Sequence, residues 1–144
     1  MNGYKEYEHK AQYYETDRMG IIHHSNYIRW FEEARIDLME QAGMPYRALE
    51  EAGIMGAVVG VSCQYRSMVR FGDTVSIKAS VVKYNGIAMT LHYEIRDRES
   101  GELRCVGETK HCFLDHQMKL VSLKKANPDF HQLFLDLTNS ENRV

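Results

Sequence analysis

The sequence predicts an α+β domain in which an antiparallel β-sheet carries one long amphipathic helix. Three observations lead there. Ile28, Phe31, Ala34, Leu38 and Ala42 recur at steps of three and four, which puts them on one stripe of a helix. Thr74 to Tyr84 alternates, with Val75, Ile77, Ala79 and Val81 set against Thr74, Ser76, Lys78 and Ser80, as a strand with one covered face requires. Asn85-Gly86 then supplies the hairpin turn whose positive φ angles match strand twist, and Met89, Leu91, Tyr93 and Ile95 resume the alternation.

The remaining elements follow in order. Residues 4–14, rich in tyrosine, read as a first strand. After a polar connection, Ser25 or Asn26 is the expected N-cap of the long helix. Gly43 supplies its left-handed terminus, and Pro45 blocks continuation. A short helical turn over residues 45–52 leads through Gly53 into the strands. Asp97 to Gly101 marks a reversal. Beyond it Leu103 and Cys105 share one parity while Val106, Cys112 and Leu114 share the other, so a bulge near Gly107 is expected. A last short strand over 118–123 precedes Asn127-Pro128, an N-cap and first-turn pair opening a helix to about Leu137. The order is strand, long helix, then four or five strands in a meander, within one domain spanning 1–144. The helix should lie across one face of the sheet. The edges need cover, which a second copy of the chain can provide.

Composition removes several function classes. A formal net charge of −2, with both signs mixed along 144 residues, offers no sustained positive field for a nucleic acid. No run of eighteen apolar residues occurs and the first ten residues lack the core of a secretion signal, so a cytoplasmic protein without a membrane span is expected. Cys63, Cys105 and Cys112 are odd in number and lack CxxC spacing, which reads as three small buried hydrophobes. The histidines outside the loop form no helical i, i+4 pair, and no phosphate-binding glycine motif is present. Neither a metal nor another cofactor is therefore expected.

Chemistry concentrates in the connection before the long helix, YYETDRMGIIHHSNY, residues 13–27. Asp17 lies about eight residues before the helix start, so a carboxylate and the unpaired N–H groups of a helix N-terminus share one short segment. Those N–H groups carry partial positive charge and suit a carbonyl oxygen that becomes an oxyanion. A carboxylate beside such donors is equipment for acyl transfer, by direct attack or by activating water. The plainer alternatives are a turn-forming Asp17, surface histidines at 23 and 24, and Tyr27, Trp30 and Phe31 as core.

The run Gln12-Tyr13-Tyr14-Glu15-Thr16-Asp17-Arg18-Met19-Gly20-Ile21-Ile22, with His23-His24-Ser25-Asn26-Tyr27 and Phe31-Glu32-Glu33-Ala34-Arg35 after it, resembles the signature of the YbgC-like and 4-hydroxybenzoyl-CoA thioesterase family. The resemblance weakens through Gly72-Asp73 and Phe113-Leu114-Asp115. It implies a hotdog fold, in which the sheet wraps the long helix, and homo-oligomers, dimers or tetramers, with sites at the dimer interface. It also implies hydrolysis of a small-to-medium or aromatic acyl-CoA, with Asp17 as catalytic carboxylate and the His24 N–H as donor to the thioester carbonyl. Gly20, Tyr27, Phe31 and Ala57 are the expected substrate contacts. Arg66, Arg70, Lys83 and Lys110 are candidates for the CoA phosphates. Arg18-Met19 departs from the small or proline residues common after the aspartate, and Ala57 lacks a hydroxyl that some relatives carry. The alternatives are a hotdog acyl-thioester hydratase or dehydratase, whose motif is not evident, and a non-catalytic acyl-CoA-binding module, which would not need Asp17.

Overall fold

Alternation in the second half of the chain becomes a three-strand meander, β3 (Thr74–Tyr84), β4 (Ala88–Asp97) and β5 (Leu103–Leu114). In the computed structural model, which describes residues 4–141, these strands form the middle of a five-stranded antiparallel sheet. β1 (Tyr7–Lys10) lies outside β3, and β2 (Met55–Tyr65) lies outside β5, giving the order β1-β3-β4-β5-β2. The expected meander is thus three strands long. β2, first of the later strands in sequence, crosses to the far edge and pairs with the last. The ends of the expected 1–144 domain, residues 1–3 and 142–144, lie outside the described residues.

The long helix α1 (Ser25–Gln41) covers the inner face of the sheet, burying Tyr27, Trp30, Phe31, Ala34, Leu38 and Met39. Ile28, placed on the buried stripe by its spacing, is instead 40% exposed. The bulky Tyr27 and Trp30 rotate the covered arc toward their side of the helix. α2 (Tyr46–Glu51) follows through Gly43, whose φ of +89 supplies the left-handed residue that ends α1. At the far end of the same face, α4 (Pro128–Glu141) packs Phe134 against Phe113 and Tyr84, with centroids 5.7 and 5.5 Å apart. Asn127 caps it, its Oδ1 accepting the Phe130 N–H at 3.2 Å.

Inner-face rungs explain how α1 seats. One rung runs Tyr7, Ile77, Ile95, Cys105, Tyr65; the next runs Ala79, Tyr93, Gly107, Cys63. Phe31 stacks on Tyr93 at 4.4 Å between centroids and lies over Gly107, where an added Cβ would meet the Phe31 ring at 2.5 Å and the Ser62 carbonyl at 2.6 Å. A glycine in this rung therefore lets the helix approach the strand.

Three expectations fail here for physical reasons. The first strand is four residues long, because Tyr13–Glu15 closes into a 3₁₀ turn, with the Glu15 N–H donating to the Gln12 carbonyl at 3.1 Å. The expected bulge near Gly107 is absent, and β5 keeps one parity from Cys105 to Phe113. Its inner positions carry Gly107, Thr109 and His111, so apolar parity alone misassigns its faces. Those polar groups are satisfied in a chain. Arg35 Nη1 donates to the Tyr93 hydroxyl at 3.1 Å, Tyr93 shares a hydrogen bond with Thr109 at 2.7 Å, and Thr109 with His111 at 2.8 Å. Burial, and then the Arg35 charge, push His111 down to about 4, so it sits neutral there at neutral pH. The last expected strand is replaced by a turn in which Asp115 Oδ1 accepts from Gln117 and Lys119, leaving a single bridge between Leu114 and Leu120. Leu123–Ala126 then forms the short α3.

Gly107→Ala should cost roughly 1–3 kcal/mol through overpacking, read from urea unfolding midpoints. Gly56→Ala, whose Cβ meets nothing within 4 Å, should leave the midpoint close to the parent. Equal stability of the two variants would disprove the close approach.

Candidate active site

The connection between β1 and α1 is fixed from within by Glu15. This carboxylate is only 6% exposed and accepts three hydrogen bonds: from the Gln12 N–H at 2.8 Å, from Trp30 Nε1 at 2.8 Å, and from His9 Nε2 at 2.9 Å. The donors belong to the turn, to α1 and to β1, so one side chain ties three elements. Burial pushes the Glu15 carboxyl up, but the bonds from His9, Gln12 and Trp30 outweigh it and hold the carboxyl below its ordinary range. Its backbone carbonyl takes the His23 N–H at 2.8 Å and Asn26 Nδ2 at 3.0 Å, which fixes the helix entrance to the same turn.

Between these anchors the chain makes a tight reversal. Thr16 bridges Ile22, the Asp17 N–H donates to the Ile21 carbonyl at 2.8 Å, and Gly20 adopts φ +78. Asp17 Oδ1 accepts the Met19 N–H at 2.8 Å, which orients the carboxylate; Oδ2 has no hydrogen-bond partner among the described residues. The turn reading of Asp17 is met through Oδ1, and Oδ2 is not used by the turn.

The helix begins at Ser25, with His24 in the N-cap position, so neither Ser25 nor Asn26 caps it. His23 takes that part instead. Its Nδ1 accepts the Ser25 N–H at 3.2 Å and its carbonyl the Asn26 N–H at 3.0 Å, while Asn26 turns back to Glu15. The His24 N–H has no hydrogen-bond partner among the described residues.

Asp17 and His24 line one cleft of about 290 Å³ together with Ile21, Ile22, Tyr27 and Tyr65. Arg66, Ser67 and Met68 complete the wall. Tyr65 donates its hydroxyl to the His24 carbonyl at 3.1 Å and meets the Tyr27 ring edge-on at 5.1 Å. Burial pushes the Tyr27 phenol up, against a backbone bond from Val69. His24 also stacks on His23 at 4.1 Å.

Of the expected site residues, Asp17, His24, Tyr27 and Arg66 come together. Gly20 is exposed in the turn and serves its geometry, outside the cleft lining. Phe31 is sealed in the core between Tyr93 and Gly107 and does not reach the cleft. Ala57 lines a different cleft of about 400 Å³, with Tyr46, Ile54, Met55, Leu114 and Met118, at the opposite end of β2. Arg70 sits beside Ile21 through a backbone bridge, whereas Lys110 lies at mid-β2 beside Gly60, and Lys83 is on β3, away from Asp17. Sequence reasoning missed Glu15 and Tyr65. Glu15 had little local signal, because its capping box has Gln12 where the sequence signature has serine or threonine; Tyr65 had none, because its contact with His24 spans 41 residues.

The sheet and the long helix packed on it form a hotdog fold, the fold of thioesterase-like proteins. The chain belongs to the thioesterase-like superfamily, whose family model matches residues 12–133. It is 31% identical over 128 residues to the putative acyl-CoA thioesterase YneP of Bacillus subtilis, covering 88% of this chain and 92% of that protein. Among solved structures it is similar to a DHNA-CoA thioesterase from Staphylococcus aureus, at 32% identity and TM-score 0.90, covering 97% of this chain and 95% of the other. It is likewise similar to the Thermus thermophilus protein TT1821, at 30% identity and TM-score 0.84, covering 93% and 99%. No helix among the described residues is long and apolar enough to cross a membrane.

Because Glu15 is held below the ordinary carboxylate range, its ionised form stabilises the fold fully above the unfolded carboxylate pKa. That stability is lost as pH falls through the folded value. Glu15→Gln should lower stability at neutral pH by about 1–3 kcal/mol, from weakened charge-assisted bonds. Its unfolding midpoint should also fall less than the parent's across the acidic window. Parallel pH profiles of the two proteins would contradict this account.

Proposed function

We propose that the protein hydrolyses an acyl-CoA thioester, with Asp17 supplying the electron pair and the His24 N–H donating a hydrogen bond to the developing oxyanion. One observation carries the reading: the unpartnered Asp17 Oδ2 and the unpartnered His24 N–H belong to residues that line the same cleft. The carboxylate attacks the thioester carbonyl directly or takes a proton from water that does so. The carbonyl oxygen becomes an anion at the helix entrance, where N–H groups and helix dipole are already oriented and need no reorganisation. Collapse breaks the carbon–sulfur bond; the thiol leaves, and water supplies the acid's second oxygen. A simple binding module would have no use for the Asp17 carboxylate beside the helix-end amide.

Substrate class follows from the walls. Ile21, Ile22, Tyr27, Tyr65 and Met68 present an apolar, partly aromatic surface, which suits an aromatic or medium-length acyl group. The likeness to the Staphylococcus aureus DHNA-CoA thioesterase supports the aromatic choice. Arg66 on the rim offers a guanidinium to the CoA phosphates.

A homodimer completes the site in this reading. β2 is an eleven-residue edge strand that exposes Val58, Val59 and Val61, the kind of edge that pairs with another chain. Antiparallel self-pairing about a two-fold axis near Gly60 brings the Met55 end of one copy to the Tyr65 end of the other. The two clefts then adjoin, and Ala57 of one protomer meets Asp17 of its partner across the interface.

Asp17→Asn should keep the fold and lower thiol release from an aromatic acyl-CoA by at least about 100-fold, followed with a thiol reagent. Parental turnover in this variant would refute the assignment. A bulky Ala57→Trp should block the same site from the other side. Mixing it with Asp17→Asn after subunit exchange should restore up to about a quarter of parental activity, since only one site in the mixed dimer carries both native residues. No recovery in demonstrably mixed dimers would place the whole site in one protomer.

A further inference from the structure

We propose that Cys63 and Cys105 form a reversible dithiol–disulfide site on the inner face of the sheet beside the cleft, with a hydroperoxide as its oxidant. The two sulfurs are 3.1 Å apart on neighbouring strands, and both thiols are free. The register explains this closeness. Cys63 pairs with Gly107 and Tyr65 pairs with Cys105, so the cysteines are diagonal neighbours on one face, and the residue opposite Cys63 has no side chain to separate them. A disulfide bond length is about 2 Å, so closure asks for a shift on the order of 1 Å, within reach of side-chain rotation.

The two thiols are not equivalent. Cys63 is half-buried, and Cys105 is fully buried. The hydrogen bond with Cys105, over the opposing effect of burial, holds the Cys63 thiol down to about 7. The same hydrogen bond and burial push Cys105 up. Cys63 is therefore the attacking sulfur and Cys105 the resolving one. The Cys63 thiolate attacks the terminal peroxide oxygen and the O–O bond breaks, giving a sulfenic acid and an alkoxide that takes a proton and leaves as an alcohol, or as water from hydrogen peroxide. The Cys105 sulfur then attacks Cys63, a disulfide forms and water leaves. Two thiols and one hydroperoxide thus yield a disulfide, an alcohol and water. Two equivalents of a small thiol reverse the change by exchange.

The bond would pull the end of β2 toward β5. Tyr65, two residues from Cys63 and on the same face, holds the His24 carbonyl, so oxidation reaches the helix entrance. That consequence rests on the thioesterase reading, but the covalent change does not.

The test oxidises the reduced native protein with tert-butyl hydroperoxide, then denatures it and alkylates the remaining thiols with iodoacetamide before peptide mass mapping. The expected product carries alkyl on Cys112 alone and a Cys63–Cys105 cross-link lighter by two hydrogens. Dithiothreitol should restore alkylation of all three. Oxidation should accelerate as pH rises through about 7. Cys105→Ser or Cys105→Ala should accumulate a Cys63 sulfenic acid trapped by dimedone. Cys63→Ala should leave Cys105 unoxidised, and Cys112→Ser should behave as the parent. Sulfinic acid on Cys63 beside an alkylatable Cys105, a cross-link through Cys112, or a bond between chains would each overturn the proposal. So would a rate that does not change with pH. Loss of acyl-CoA hydrolysis without the cross-link would count against the dithiol site and leave the thioesterase reading standing.

Discussion

The Glu15 carboxylate is the constraint on which the site geometry depends. Burying an unpaired carboxylate costs several kcal/mol, so its three donors are a condition of the loop's existing in this shape. They come from β1, the 3₁₀ turn and α1, and hydrogen bonds to a charged acceptor are roughly twice as strong as neutral ones. With both its side chain and its carbonyl engaged, Glu15 sets the distance between strand end and helix start. The nine residues between Glu15 and Ser25 then have fixed ends, and the Asp17 turn is the short path that joins them.

That constraint would be idle without a firm seat for α1. Trp30 is at once a donor to Glu15 and a fully buried core residue, so loop order and helix packing are coupled through one side chain. The next residue, Phe31, lies over Gly107 and against Tyr93, fixing the helix above β4 and β5. Beyond it the Arg35, Tyr93, Thr109 and His111 chain adds polar contacts with strict geometry. A helix held by both shape and directional bonds presents its N-terminus in one place, which preorganised donors need if they are to act on a reacting carbonyl.

Legibility followed the range of the interactions. β3, β4 and their turn were readable because alternation and Asn85-Gly86 are local, and the α1 boundary at Gly43 was readable for the same reason. Asp17 and His24 stood out through chemistry crowded into one connection and through family resemblance. The strand order was not readable, since β2 pairs with the strand farthest from it among those that follow. β5 misled because tertiary contacts, a close-packed ring and a buried polar chain, placed Gly107, Thr109 and His111 inside. The N-cap misled because His23, a residue type seldom expected there, performs the capping from one position earlier. Ile28 shows the limit of periodicity: spacing found the helix and placed Phe31 on its buried side correctly, but neighbouring Tyr27 and Trp30 decided which arc is covered.

The two edges of the sheet are unlike, and the difference bears on why the site lies where it does. β1 is short and charged, and its Glu8 pairs with Arg98 at 3.1 Å, so this edge offers little to a partner strand. β2 is long and rich in valine and glycine, and it ends at Tyr65 beside the Asp17 turn. The strand's last inward side chains, Cys63 and Tyr65, reach the Cys105 thiol and the helix entrance, so a chain paired with β2 would lie beside the cleft. In the proposed reading, assembly, hydrolysis and thiol state meet at one strand end, and Tyr65 is the side chain common to the cleft wall, the edge strand and the His24 backbone.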